Sequence, residues 1–160
     1  MPKIDFLQAF DVRFDFIERP DTTPADFRPL WRMALLVLIL DKCWGQRASI
    51  GQVHVLNWAI RTKQSRDAFL SFQKGSVSYE RAIVRFEPSL NRAIDFAFGE
   101  GLIRKRANDV IEMTIKGRAW ADKILNSPEL LSEERGFLTG IKGKITQQTA
   151  DAVLNWELKA

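Results

Sequence analysis

The side chains of this chain that suit chemistry are few and scattered, and their scarcity narrows the function. One histidine and one cysteine occur in 160 residues. His54 stands between Val53 and Val55 inside IGQVHVLNWAIR, with no serine, cysteine or aspartate at a spacing that makes a nucleophile–base pair. It is expected at the edge of a buried helical stripe. Cys43, beside Trp44, reads as a small buried hydrophobe. Zinc sites of the common kinds need several cysteines or histidines, so none can be assembled here. Gly99-Glu100-Gly101 lacks the lysine that follows a phosphate-binding loop and reads as a helix end. Glu133-Glu134 are ordinary solvated helix residues. The expectation is a chain that is not an enzyme, with no cofactor, no metal and no small-molecule substrate.

What remains is charge. Arg104-Lys105-Arg106, followed by Lys116 and Arg118, forms a basic group suited to phosphate contact, unless it is simply a solvated hairpin. Asn91 and Arg92 lie off the apolar stripe of the preceding helix and have the donor geometry to read base edges. Asp95, Phe96 and Glu100 share that outward face. Two carboxylates repel phosphate, so any binding to duplex DNA is expected to be weak, independent of sequence and sensitive to salt. Phe96, an aromatic the helix does not need there, points instead to a protein partner. The net charge of +4 is uneven: residues 29–80 carry seven basic and three acidic groups and residues 81–126 nine and six, while both ends are slightly acidic. That distribution permits nucleic-acid contact without requiring it.

The elements that must position these residues run from Pro88 to Asp122. Leu90, Ala93, Ile94, Ala97 and Phe98 recur at helical spacing behind Ser89, a suitable N-cap, and Gly99 and Gly101 end the helix. A strand over Leu102–Arg106, a turn at Ala107-Asn108-Asp109 and a second strand over Val110–Ile115 follow. Ile111, Met113 and Ile115 alternate with Val110, Glu112 and Thr114. Thr114 and Lys116-Gly117 lead into a helix carrying Ala119, Trp120, Ile124 and Leu125. Helix, hairpin with a basic tip, then helix is the order of a winged helix-turn-helix. The phrase GLIRKR…IEMTIKGRAWADKI resembles the wing of MarR-like domains. The expected class is mostly α with a small β-wing, an α+β fold.

Before this unit, residues 1–28 read as an N-terminal arm in which Asp11–Ile17 is extended, with Phe14 and Phe16 on one face. Those phenylalanines pack either on the same chain or on a partner. Arg28-Pro29 opens a helix that is apolar nearly all round, LWRMALLVLILDKCWG, as for a central core helix or one partly covered by a second subunit. Leu30 is placed on its inward stripe. Ser49 caps the next helix, with Ile50, Val53, Leu56 (or Asn57) and Ile60 inward. A further helix spans about Gln64–Gln73, and Ile83–Phe86 reads as a short strand pairing with the wing. The winged-helix unit thus covers residues 29–126. Residues 127–160 read as a helical extension packed on it, with Ser132 opening one helix and Thr146 capping the last, Thr146–Leu158. No signal peptide or membrane-length apolar run appears, and a single cysteine fits a reducing compartment, so a cytoplasmic location is expected.

RPLWRMALLVLILDKCW, ASIGQVHVLNWAIR, the wing and LLSEERGFLTGIKGKITQQTADAVL together resemble the middle-component family of three-component ABC-ATPase conflict systems, which includes Lamassu-type antiviral defence. The resemblance covers about residues 28–158. It implies a non-catalytic winged-helix subunit that associates with an SMC/Rad50-like ATPase and links it to an effector, often a nuclease. It offers no catalytic residues to carry over. A MarR-like transcriptional regulator, or an interaction domain of another system, is the alternative.

Overall fold

The structure, a computed structural model, describes residues 27–75 and 87–159. Within them the chain is mostly helical, with a small three-stranded antiparallel sheet, an α+β arrangement. The order is α1 (Phe27–Lys42), β1 (Arg47–Ser49), α2 (Ile50–Arg61), α3 (Lys63–Gln73), α4 (Pro88–Gly99), β2 (Ile103–Lys105), β3 (Val110–Met113), α5 (Ile115–Leu125), α6 (Ser132–Gly140) and α7 (Gln147–Lys159). The sheet order is β1-β3-β2, with Ala48 opposite Ile111 and Arg104 opposite Glu112.

α1 is the axis of the core. Its continuous apolar run leaves Leu35 to Leu40 all buried, and α4, α5, α2 and α6 surround it. The chain itself therefore covers the stretch Leu35–Leu40. Leu30, expected inward, is exposed along with Trp31. α1 ends at Lys42, and a short 3-10 turn follows in which Gly45 takes a left-handed conformation that glycine tolerates at little cost.

The local signals behave as polar chemistry dictates. The Ser49 hydroxyl accepts from the Gln52 N–H and starts α2. Thr62 and Ser65 form a reciprocal capping box that starts α3 one residue after α2 stops. Thr114 caps α5 through the Gly117 N–H, and Thr146 accepts from the Thr149 N–H at the start of α7. Leu131, Phe137, Leu138, Ile141, Ile145, Ala150 and Val153 join the same core as α1 and α2.

Several expectations need correction. Ser89 does not cap α4; the helix begins at Pro88, which fits the first turn because it has no N–H to satisfy, with Glu87 as the preceding residue. β2 and β3 are shorter than the alternation suggested, and Ile115 is not a strand residue: it opens α5 and is 84% exposed. Phe98, placed on the inward stripe of α4, is half exposed. β1 was not foreseen. The extended Asp11–Ile17, with Phe14 and Phe16, and the strand over Ile83–Phe86 lie outside the described residues.

Candidate interaction surface

Two carboxylates organise the polar chemistry around α4 and the hairpin. Glu87, just ahead of α4, faces Arg32 of α1 at 3.3 Å and Arg61 of α2 at 3.1 Å, and accepts from Asn57 at 2.9 Å. Burial alone would push its carboxyl up. The Asn57 hydrogen bond and the two guanidinium charges outweigh that and hold it below the ordinary value. Glu112, on the central strand β3, receives Arg104 Nε at 2.7 Å and Arg106 Nε as a second short contact. The Arg104 hydrogen bond, against the opposing effect of burial and with help from Arg106, lowers the Glu112 carboxyl, and Glu112 in turn raises Arg104.

His54 belongs to the first of these networks. It is 1% exposed on α2. The Glu87 N–H donates to its Nδ1 at 3.4 Å, and its Nε2 lies 3.0 Å from Asn91 Oδ1. An amide oxygen only accepts, so Nε2 carries the proton and Nδ1 is the acceptor. The ring thereby pins the first turn of α4 to α2, as a buried histidine with partners on both nitrogens.

The residues expected to contact DNA are thus largely committed within the chain. Asn91 is exposed, yet its oxygen is held by His54. Arg104 and Arg106 both pair with Glu112, while 60% and 45% of their side chains stay exposed. Lys105 reaches back to Asp95 at 3.4 Å and lies 5.1 Å from the Phe98 ring centroid. Lys116 donates to the main-chain oxygen of Glu100 at 2.6 Å. Arg92, Lys116 and Arg118 are exposed and make no ion pair with the described residues, and of the three only Lys116 has a side-chain hydrogen bond among them.

Apolar side chains are the ones left open. Phe96 is 52% and Phe98 50% exposed, and the helical period puts them on opposite edges of the exposed strip of α4. Ile115, the first residue of α5, is also exposed. The Thr114 hydroxyl donates to the Gly101 oxygen, and Gly117 packs so tightly that a Cβ there would lie 2.1 Å from the Leu102 oxygen. The start of α5 is therefore pressed against the α4–β2 junction. The exposure of Phe98 and Ile115 and the gathering role of Glu112 were missed in the sequence. An acid in a hairpin strand facing three basic residues was the available signal for the last.

Cys43 is buried, accepts a hydrogen bond from Gln52 at 3.6 Å, and burial pushes its thiol up to about 12, far from thiolate reactivity. No group of three or more His, Cys, Asp or Glu side chains among the described residues is placed to hold a metal. A depression of about 580 Å3 between the end of α3 and α7, lined by Leu70, Phe72, Lys74, Lys142 and Gln148 among others, includes no acid, histidine or cysteine. None of the described helices is long and apolar enough to cross a membrane. Against known proteins the chain matches no family model, no curated protein and no solved structure.

Proposed function

We propose that this chain is a non-catalytic winged-helix assembly subunit that joins an SMC/Rad50-like ATPase to an effector, such as a nuclease, in a cytoplasmic bacterial defence complex against phages or plasmids. The winged-helix part of the reading is supported by β1 preceding α2, by the hairpin following α4 directly, and by the sheet order β1-β3-β2. α3 is an extra helix between α2 and α4 for such a domain. The partner class comes from the sequence resemblance over residues 28–158.

One observation carries the choice of protein over DNA as the main partner. Several side chains suited to reading bases or gripping phosphate are engaged within the chain, Arg104 and Arg106 with Glu112, Lys105 with Asp95 and Asn91 with His54, whereas Phe96, Phe98 and Ile115 remain open to solvent. Exposed aromatic and aliphatic residues suit a protein interface and gain nothing from a polyanion. Arg104, Lys105, Arg106, Lys116 and Arg118 then supply modest, non-specific backbone contact with double-stranded DNA within the assembly.

Co-expression with an SMC/Rad50-like ATPase of the same source, followed by affinity capture and size-exclusion chromatography, tests the reading. The expected result is a stable complex, alongside duplex-DNA binding by the isolated chain that is weak and lost on charge reversal of Arg104, Lys105 and Arg106. Tight binding to one operator sequence at physiological salt, with no ATPase captured, would replace this reading with the MarR-like regulator.

A further inference from the structure

A subunit that joins two proteins needs two separate surfaces, and the described residues offer a second one. The depression between the end of α3 and α7 takes none of its described walls from α4, the hairpin or α5. Leu70 and Phe72 of α3 and Ala152 of α7 give it apolar area, while Lys74, Lys142 and Gln148 are among its polar lining. At about 580 Å3 it lies within the range of about 300–1,000 Å3 that binding sites occupy. Its cations sit on pinned backbone. Lys74 ends α3 with its N–H on the Leu70 oxygen. Ile141, just before Lys142, is buried, donates to the Phe137 oxygen and accepts from Lys42 at 2.7 Å. Ile145, further along, bonds the Lys42 oxygen and the Trp44 N–H. The connection that carries Lys142 is therefore fixed at both ends.

The charges lining this depression are of one sign. Lys74 and Lys142 are exposed and make no ion pair with the described residues, and no carboxylate belongs to the described lining. The described acids of the helices that form it have other places. Asp67 of α3 pairs with Lys63 at 2.8 Å, and Glu133 of α6 with Arg66 at 3.2 Å. Glu134 stands about 120° around α6 from Gly140, the residue of that helix in the lining. Asp151 of α7 accepts from Gln147 at 2.8 Å, and Gln147 lines a different depression, beside β1. Lys42 and Lys144 hold the main-chain oxygens of Ile141 and Asp41. Two more cations thus flank the connection that bears Lys142, with the Asp41 carboxylate acting on Lys42.

We propose that this depression docks an acidic segment of a second protein partner, with an apolar side chain set against Leu70, Phe72 and Ala152 and carboxylates beside Lys74 and Lys142. The proposal rests on the assembly-subunit reading and deepens it, because an ATPase and an effector must be held at different places. A duplex is the poorer occupant, since a phosphate backbone offers nothing to Leu70 and Phe72.

The test uses the full chain, isotope-labelled, and follows its amide resonances against four probes. The first is a peptide of about 12 residues with a central leucine and phenylalanine flanked by glutamates. The second replaces each glutamate with lysine, the third replaces the leucine and phenylalanine with serine, and the fourth is a duplex of about 20 base pairs. The first peptide is expected to shift Leu70, Phe72, Lys142, Gln148 and Ala152 in a saturable way, and the second and third to bind at least about tenfold more weakly. Lys74→Glu/Lys142→Glu and, separately, Ala152→Gln should weaken it to the same degree. The remaining resonances should stay in place, because all three side chains are exposed. Equal binding of the lysine or serine peptide overturns the proposal, as does an unshifted depression or a duplex that occupies these residues more tightly. Shifts there that follow chain concentration without any peptide assign the depression to a second copy and also overturn it. Capture of both ATPase and effector at the native level by Lys74→Glu/Lys142→Glu overturns it while leaving the assembly role standing. If the native chain captures no ATPase, the functional reading falls, and the peptide titration still decides the depression.

Discussion

Glu87 and Glu112 have the same chemistry and opposite reach. Each is a mostly covered carboxylate, with 16% and 11% of its side chain exposed, that gathers two arginines and is held below its ordinary pKa. Glu87 draws its partners from α1 and α2 and stands at the mouth of α4, so it ties three elements that are distant in sequence. Glu112 draws both of its arginines from residues 104–106, within the same hairpin. A clamp across elements fixes tertiary structure. A clamp inside one hairpin mainly decides what that hairpin shows to the outside. Removing the first should cost stability, and removing the second should change binding.

The hairpin has a firm anchor of its own, but it is steric, which gives the largest expected effect. In Gly117→Ala the new methyl group meets the Leu102 carbonyl at a distance no relaxation of a flexible side chain can relieve, since the obstacle is backbone. A loss of about 3 kcal/mol or more is expected in chemical denaturation, and a near-neutral result would mean α5 is not seated on the hairpin junction. Glu87→Ala should follow, at about 2 kcal/mol, because it strands the buried Asn57 amide and leaves two guanidinium groups without their carboxylate. If Glu87→Ala and Glu112→Ala destabilise equally, the contrast between the two clamps fails.

Glu112→Gln should lower stability by only about 1 kcal/mol, since its partners lie at the surface and within one hairpin. It should also free Arg104 and Arg106 and raise affinity for a duplex, with a steeper dependence on salt. Fluorescence anisotropy at two salt concentrations measures this; unchanged binding would show that the ion pairs with Glu112 do not hold back the two arginines, whose side chains are 60% and 45% exposed. The pH dependence has a definite sign. Both carboxyls are lowered on folding, so their contribution is fully present above the ordinary value of 4.5 and is lost as pH falls through the folded values. Glu87→Gln/Glu112→Gln should therefore flatten the acid limb of the stability curve below about pH 4.5 and leave neutral-to-alkaline behaviour alone. The smallest effect concerns α4 itself. Phe96→Ala and Phe98→Ala should melt within about 0.5 kcal/mol of the native chain, while Ile94→Ala, on the buried face, should lose about 2–4 kcal/mol.

Much of the skeleton was legible because it is written in short-range rules. The capping of α2 by Ser49, the lead of Thr114 into α5 and the start at Thr146 are local hydrogen bonds, and the apolar run Leu35–Leu40 could only be core. The turn at Asn108 and Asp109 was readable too, because both adopt left-handed conformations that these residue types tolerate. The candidate surface was legible only in part. Phe96 was seen as outward from its position off the apolar stripe. Phe98 was assigned inward by the same periodicity, whereas in three dimensions it stands at the edge of α4 under Lys105, a contact no helical wheel contains. The engagement of Asn91 by His54, across 37 residues, and the third strand at Arg47–Ser49 are long-range pairings, and residue spacing carries no information about them. Charge counting found the basic hairpin but not its neutralisation, because that depends on the register that sets Arg104 opposite Glu112.

Ile145 carries one further consequence, which concerns the order in which the molecule can be completed. Its N–H donates to the Lys42 oxygen, and its own oxygen accepts from the Trp44 N–H and from Gln52, 93 residues earlier in the chain. These bonds close a very long loop, and closure entropy makes such contacts late ones during folding. On a ribosome, where the chain emerges from its beginning, α1, α2 and the hairpin would all be outside the tunnel while the Gln52 amide and the Cys43 region still lacked their cover. Synthesis would have to run past residue 145 before that end of the core could shut.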